Sequence, residues 1–127
     1  MLRTLVVDDW PDPIATLHLL LHSWGYEACV ASDGPTALKL ANRFQPDVVI
    51  LDIALPGMDG YEVAKRWRRQ HSQKPLIIAH SGYCTDADVR LSLEAGCHYH
   101  FAKPVDPDVI KRLLEAYAQW LLKQSPS

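Results

Sequence analysis

Residues able to do phosphoryl chemistry stand at the ends of apolar runs in this chain. "TLVV" (Thr4–Val7) leads into Asp8 and Asp9, "DVVIL" (Asp47–Leu51) into Asp52, "LIIA" (Leu76–Ala79) toward Ser81, and "YHFA" (Tyr99–Ala102) into Lys103. In open α/β sheets ligands bind at the carboxyl ends of the strands. If the first and third runs are neighbouring strands, three carboxylates converge in one crevice beside a hydroxyl and an ammonium. Three carboxylates do not all ionise side by side without a counter-charge. A hard divalent cation such as Mg2+, which takes carboxylate, water and phosphate oxygens, is the natural one. Lys103 and Ser81 would then hold an anion on the other side. Together these groups describe a site for a phosphoryl group beside Mg2+. Asp52, central among them, is the candidate nucleophile, since carboxylates form acyl phosphates. Taken singly, an Asp after a strand is as often a helix cap or turn former. The whole set, each member at a strand end, is what points to chemistry.

The elements that must position these residues alternate along the chain. The four runs above, with "EACVA" (Glu27–Ala31), read as strands from their β-branched content and flanking Gly and Pro. The first helix carries Ile14, Leu17, Leu21 and Trp24 at helical spacing, with Pro13 in its first turn and Gly25 beyond its end. A second begins near Asp33, a third runs from about Met58 to His71, and a fourth spans Asp86–Ala95 with Gly96 as its cap. The last runs from Asp106 to Lys123. This alternation predicts a parallel sheet with helices on both faces, and the unbroken apolar "VVIL" fits a strand buried on both sides.

The chain has 127 residues, enough for one domain with a real core. We expect that domain over residues 1–123 and a flexible tail over 124–127. A formal charge of -2 argues against a nucleic-acid or membrane surface. Cys29, Cys84 and Cys97 are odd in number and lack CxxC spacing, as expected of free thiols in a reducing compartment. The start has no signal-peptide pattern, and no apolar run reaches membrane-spanning length. A soluble, cytoplasmic protein is the expectation.

At this point the motifs resemble the receiver domain of two-component response regulators. "VVDD" is similar to that family's acidic pair, and "LDIALPGMDG" to its phosphorylation motif, with Asp52 at the phosphorylated position. "IIAHSG" resembles the strand carrying its Ser or Thr, and "FAKPVD" its Lys-Pro signature. The resemblance implies the flavodoxin-like fold, a five-stranded parallel sheet of order 2-1-3-4-5 with five helices, and a cis peptide between Lys103 and Pro104. It implies that Asp52 accepts a phosphoryl group from the phosphohistidine of a sensor histidine kinase or a histidine phosphotransfer protein. Asp9, Asp52 and the Ala54 carbonyl would ligate Mg2+, with Mn2+ or Ca2+ as substitutes, and Asp8 would help through water. Ser81 and Lys103 would bind phosphoryl oxygens, joined by backbone N–H groups near Ile53 and Gly82. No catalysis is expected beyond the domain's own phosphorylation and dephosphorylation.

The chain departs from the family pattern in places. His100 stands three before the lysine, where a rotating Tyr or Phe is usual; such a His, like "KPVD", resembles receivers of hybrid histidine kinases. Ser81 and His100 are therefore the expected switch pair, the imidazole being smaller than a phenol and titrating near neutrality. Trp10 follows the acidic pair, and Gly82 replaces the usual Ala.

Other features have plainer readings. His98 and His100 share a strand face with His80 on the next strand, but core or surface histidines are expected rather than a transition-metal site. "KRWRRQH" (Lys65–His71) reads as a solvated helix end favoured by the macrodipole, or as a docking surface for an acidic partner. The last helix has two apolar stripes, Val109/Leu113/Ala116/Trp120 and Ile110/Leu114/Tyr117/Leu121; the excess suits a homodimer or partner surface on the helix 4–strand 5–helix 5 face. With the chain stopping after that helix, output is expected through a downstream protein target rather than DNA. The alternatives are a receiver piece of a hybrid kinase, a phosphorelay sink, or a metal-dependent phosphatase. A phosphatase of the aspartyl-phosphate kind would want a second Asp two residues after the nucleophile, where Ala54 stands.

Overall fold

A computed structural model describes residues 2–55, 57–71, 75–82 and 84–124. The expected tail residues 125–127, together with Pro56 and Tyr83, lie outside them. The elements alternate as β1 (Arg3–Val7), α1 (Pro11–Ser23), β2 (Glu27–Ala31), α2 (Gly34–Phe44), β3 (Val48–Asp52), α3 (Gly60–Gln70), β4 (Leu76–Ser81), α4 (Asp86–Ala95), β5 (Tyr99–Ala102) and α5 (Pro107–Gln124). All pairings are parallel, in the order β2-β1-β3-β4-β5, as expected. The last helix includes Gln124, where the tail was expected to start.

Side-chain alternation along each strand splits the core into two layers. Leu5, Val7, Val49, Leu51, Ile77 and Ala79 face Ala37, Ala41, Val63, Trp67 and Ala95 of α2, α3 and α4. Val6, Val48, Ile50 and Ile78 face Leu21 of α1 and Ile110 and Leu114 of α5. Each fully buried side chain of this kind contributes about 1.5–3 kcal/mol, so the central strands, buried on both faces, are the most firmly held part of the fold.

Helix starts follow from capping chemistry. Asp33 accepts from the Thr36 N–H at 2.7 Å and Asp59 from the Glu62 N–H at 2.9 Å. The third helix therefore begins at Gly60, two residues after the expected Met58. Thr85 and Asp88 cap each other's backbone reciprocally at the start of α4. Gly96 ends α4 in the left-handed region, φ 105°.

The basic run on α3 is not one surface. Trp67 is buried, and Arg68 turns inward: its Nε donates to the Gly96 carbonyl at 3.0 Å and its Nη2 to the Pro75 carbonyl at 2.7 Å. Arg68 thus braces the amino end of β4 against the α4–β5 turn. Only Lys65, Arg66 and Arg69 of the run's basic side chains fit the expectation of an exposed helix end.

Candidate functional site

The strand ends meet as the spacing requires. Asp8 follows β1, Asp52 and Ser81 are the last residues of β3 and β4, and Lys103 follows β5. Asp52 pairs in register with His80, and Ser81 with Ala102. Asp8 is 1% exposed, Asp52 2% and Ser81 2%, so the crevice floor is buried; Asp9 lies at its open side.

Lys103 joins the two buried carboxylates. Its Nζ donates to Asp52 Oδ2 at 3.0 Å and to Asp8 Oδ2 at 3.1 Å. The other oxygens accept from the backbone: Asp52 Oδ1 from the Ala54 N–H and Asp8 Oδ1 from the Trp10 N–H, each at 3.0 Å. Burial pushes the Asp52 carboxyl above its ordinary value; the hydrogen bonds from Lys103 and Ala54 oppose it without cancelling it. For Lys103, burial pulls downward, but the hydrogen bonds to Asp52 and Asp8 outweigh it and the ammonium is held above its usual value.

One ammonium does not balance three carboxylates. Asp8, Asp9 and Asp52 each offer an oxygen, and these oxygens lie within 4.8 Å of one another. They are hard donors of the kind a small divalent cation selects, and the exposed Asp9 gives it a way in. The residues present therefore fit Mg2+. Among the described residues no other group of three potential ligands converges.

The three histidines of β4 and β5 do not converge on one site, in line with their reading as core or surface residues. His100 lies in register with Ala79, on the α4 side of the sheet, and its Nδ1 meets Ser92 Oγ. The His98 Nδ1 accepts from the Ile77 N–H at 3.2 Å and lies 3.2 Å from Arg68 Nη2. His80 points to the opposite face, toward Asp8, with Nε2 4.0 Å from Asp8 Oδ2. Burial first, and Lys103 second, push its pKa down to about 4.

One expected contact is corrected. The Ile53 N–H donates to the His80 carbonyl at 3.1 Å, extending the sheet ladder, so it is committed there rather than aimed at a phosphoryl group. The N–H that reaches the Asp52 carboxylate is that of Ala54. Gly82 is exposed at the crevice mouth with nothing within 4 Å of where a Cβ would stand. Lys103–Pro104 is cis, as expected. The sequence reading missed His80 as a neighbour of Asp8; its place one residue before Ser81, on the other face of β4, was the available signal.

Beneath the crevice, on the α1–α5 side, lies a cavity of about 630 Å³. Leu17 and Leu20 of α1, Ile50 and Ile78 of the sheet, Ile110 of α5 and the His80 ring line it.

The family whose sequence model is described as "Response regulator receiver domain" matches residues 4–115. The alkaline phosphatase synthesis transcriptional regulatory protein PhoP of Bacillus subtilis is 35% identical over 114 residues, 90% of this chain and 47% of that protein. The sensor histidine kinase RcsC of Escherichia coli is 36% identical over 123 residues, 97% of this chain and 13% of that protein. The chain thus spans about half the length of the Bacillus regulator and a small part of the kinase. A crystal structure of a CheY-like response regulator receiver domain protein from Methanospirillum hungatei superposes with a TM-score of 0.90 at 24% identity, covering 98% of this chain and 99% of that one. No helix among the described residues is long and apolar enough to cross a membrane.

Proposed function

We propose a function that starts from membership: the chain belongs to the response regulator receiver family. It acts as a phosphoacceptor, taking a phosphoryl group from a phosphohistidine on a sensor histidine kinase or phosphotransfer protein. The observation that carries this reading is the Lys103 ammonium bridging Asp8 and Asp52 at the ends of two adjacent strands.

In the transfer, a carboxylate oxygen of Asp52 attacks phosphorus and forms an O–P bond. The P–N bond to the donor imidazole breaks, and its electron pair stays on that nitrogen. Lys103 turns from the carboxylates to an incoming phosphoryl oxygen, and the Ser81 hydroxyl and the Ala54 and Gly82 N–H groups offer further donors. Asp8, Asp9, Asp52 and the Ala54 carbonyl would hold Mg2+, which when bound supplies charge neutralisation between the carboxylates and the phosphoryl oxygens. Burial of Asp8 and Asp52 keeps competing water from their inner oxygens.

Output passes through protein contacts at the face of α4, β5 and α5. Leu91, Leu93, Tyr99, Val109 and Trp120, on those three elements, are all exposed apolar side chains, which suits a partner surface or a homodimer. The RcsC match supports a second setting, in which the same domain is one part of a hybrid kinase.

Incubation with acetyl phosphate and Mg2+, followed by intact mass measurement, tests the reading. The expected product carries one phosphoryl group, absent from Asp52→Asn and from wild type in excess chelator. A wild type that stays unmodified would overturn it.

A further inference from the structure

His80 is a buried polar group that the proposed chemistry does not use. Its Nε2 has no hydrogen-bond partner among the described residues, a costly state for a group with 7% residue exposure. It lies 4.0 Å from Asp8 Oδ2, about one ångström beyond a hydrogen bond. The same ring borders the cavity between α1 and α5, so it has room to shift. Asp8 Oδ2 already has its donor, Lys103 Nζ at 3.1 Å.

Phosphorylation puts that arrangement under competition, because the phosphoryl oxygens draw on the same Lys103 ammonium. Where Lys103 turns away from Asp8 to the phosphoryl oxygens, Asp8 Oδ2 loses its donor while remaining buried. An orphaned, buried carboxylate oxygen is unfavourable, and the His80 ring, with Nε2 4.0 Å away, can supply an N–H in its place. We propose that His80 is a positioning residue: in the phosphorylated state its Nε2–H moves onto Asp8 Oδ2 as Lys103 leaves. It holds the Asp8 carboxylate in the orientation that the cation needs. The inference rests on the phosphoacceptor reading above and extends it to a residue outside the acidic, hydroxyl and lysine set. A neutral imidazole suits the task, because it donates one hydrogen bond without adding a second cation beside Lys103.

The test uses beryllofluoride, a stable mimic of the phosphoryl group, with Mg2+ and 15N-labelled protein. Long-range proton–nitrogen NMR of the imidazoles reads the state of each ring nitrogen, with His80→Leu assigning the signals. The expected result is a slowly exchanging Nε2 proton on His80 that appears only when Mg2+ and beryllofluoride are both present. His80→Leu, an apolar side chain suited to the cavity wall, should bind beryllofluoride about tenfold more weakly, the scale of one hydrogen bond to a charged group. His80→Gln, whose Nε2–H stands where the imidazole N–H would, should restore binding to within about twofold of wild type, having kept that bond. An unprotonated Nε2 in the complex, or equal affinity for the Leu and Gln variants, overturns the proposal. The backbone amides of Ala54 and Gly82 separate the two levels of failure. If they shift while His80 does not respond, only the role of His80 falls; if they do not shift in wild type, the phosphoacceptor reading falls with it.

Discussion

Asp52 is a carboxylate placed where folding alone would not put one. Its pKa is raised by burial, so between the ordinary carboxylate value and the raised one the folded protein keeps a proton that the unfolded chain has released. Stability falls as pH rises through that window, and at neutral pH the full cost is present. Asp52→Asn removes the charge and keeps the shape. It should stabilise the protein at pH 7 by about 1 kcal/mol, the scale of an imperfectly satisfied buried polar group, or roughly 3–6 °C in Tm. The advantage should shrink on acidification toward the ordinary carboxylate value; melts at two pH values check both. A variant less stable at pH 7 would mean that the pairing with Lys103 outweighs burial. Ala54 makes a different statement. Its methyl is exposed at the crevice and offers nothing to orient an attacking water, so phospho-Asp52 should be long-lived. Ala54→Asn supplies a polar group there and should speed decay by up to about tenfold, through orientation of the water; loss of phosphoryl mass with time measures it. At this scale the sequence made the placement of Asp8, Asp9, Asp52, Ser81 and Lys103 legible, because each stands at or just past a strand end. It was not legible for Ile53 or His80. The Ile53 N–H is claimed by the His80 carbonyl only because β3 and β4 stay paired to the last residue of β3, a matter of register that no residue type announces.

The loop from β3 to α3 is what keeps Asp52 aimed. It closes through the Gly60 N–H, which donates to the Ile53 carbonyl at 2.8 Å. A Cβ on Gly60 would stand 2.6 Å from both the Asp52 carbonyl oxygen and the Ile53 Cα. Those are backbone atoms, which cannot step aside as a side-chain end can. Gly60→Ala should therefore cost about 2 kcal/mol as overpacking and should weaken beryllofluoride binding, because relief of the clash moves Asp52 itself. Urea unfolding gives the first quantity and a binding titration the second. An alanine variant of wild-type stability would show that α3 slides without disturbing β3. Element types and order were legible from the alternation of apolar runs and helical spacing, and Gly96 from its place after a helix. Exact starts depended on which cap won: Asp59 bonding the Glu62 N–H moved the third helix from Met58 to Gly60. The inward turn of Arg68 was hidden for another reason. "KRWRRQH" shows only charge, and the carbonyls of Pro75 and Gly96 that Arg68 holds lie outside that run and are brought to it by the fold.

Across the whole molecule, the proposed output requires that phosphorylation of Asp52 be felt at the outer face of α4, β5 and α5. Ser81 and His100 project from the same face of adjoining strands, since Ala79 pairs with His100 and Ser81 with Ala102. The His100 ring meets the Ser92 hydroxyl, which is fully buried on α4. Tyr61 of α3 donates to the Asp88 carbonyl of α4 at 3.3 Å, tying the same helix to the segment after the phosphoacceptor loop. A Ser81 hydroxyl drawn to an anionic phosphoryl oxygen makes a strong hydrogen bond and opens space beneath the β4–α4 connection. His100 can turn into that space only by exchanging its contact with Ser92, so α4 feels the change directly. The proposed coupling would then have two discrete arrangements, as a switch needs. Amide NMR spectra of wild type and His100→Ala, each with and without beryllofluoride and Mg2+, test this. Shifts at Ala54 and Gly82 should appear in both proteins, because the phosphoryl site does not need His100. Shifts across α4 and the exposed side of α5 should be large in wild type and small in the variant. Equal shifts on those helices would mean that the signal travels past His100, through the α3–α4 contact at Tyr61.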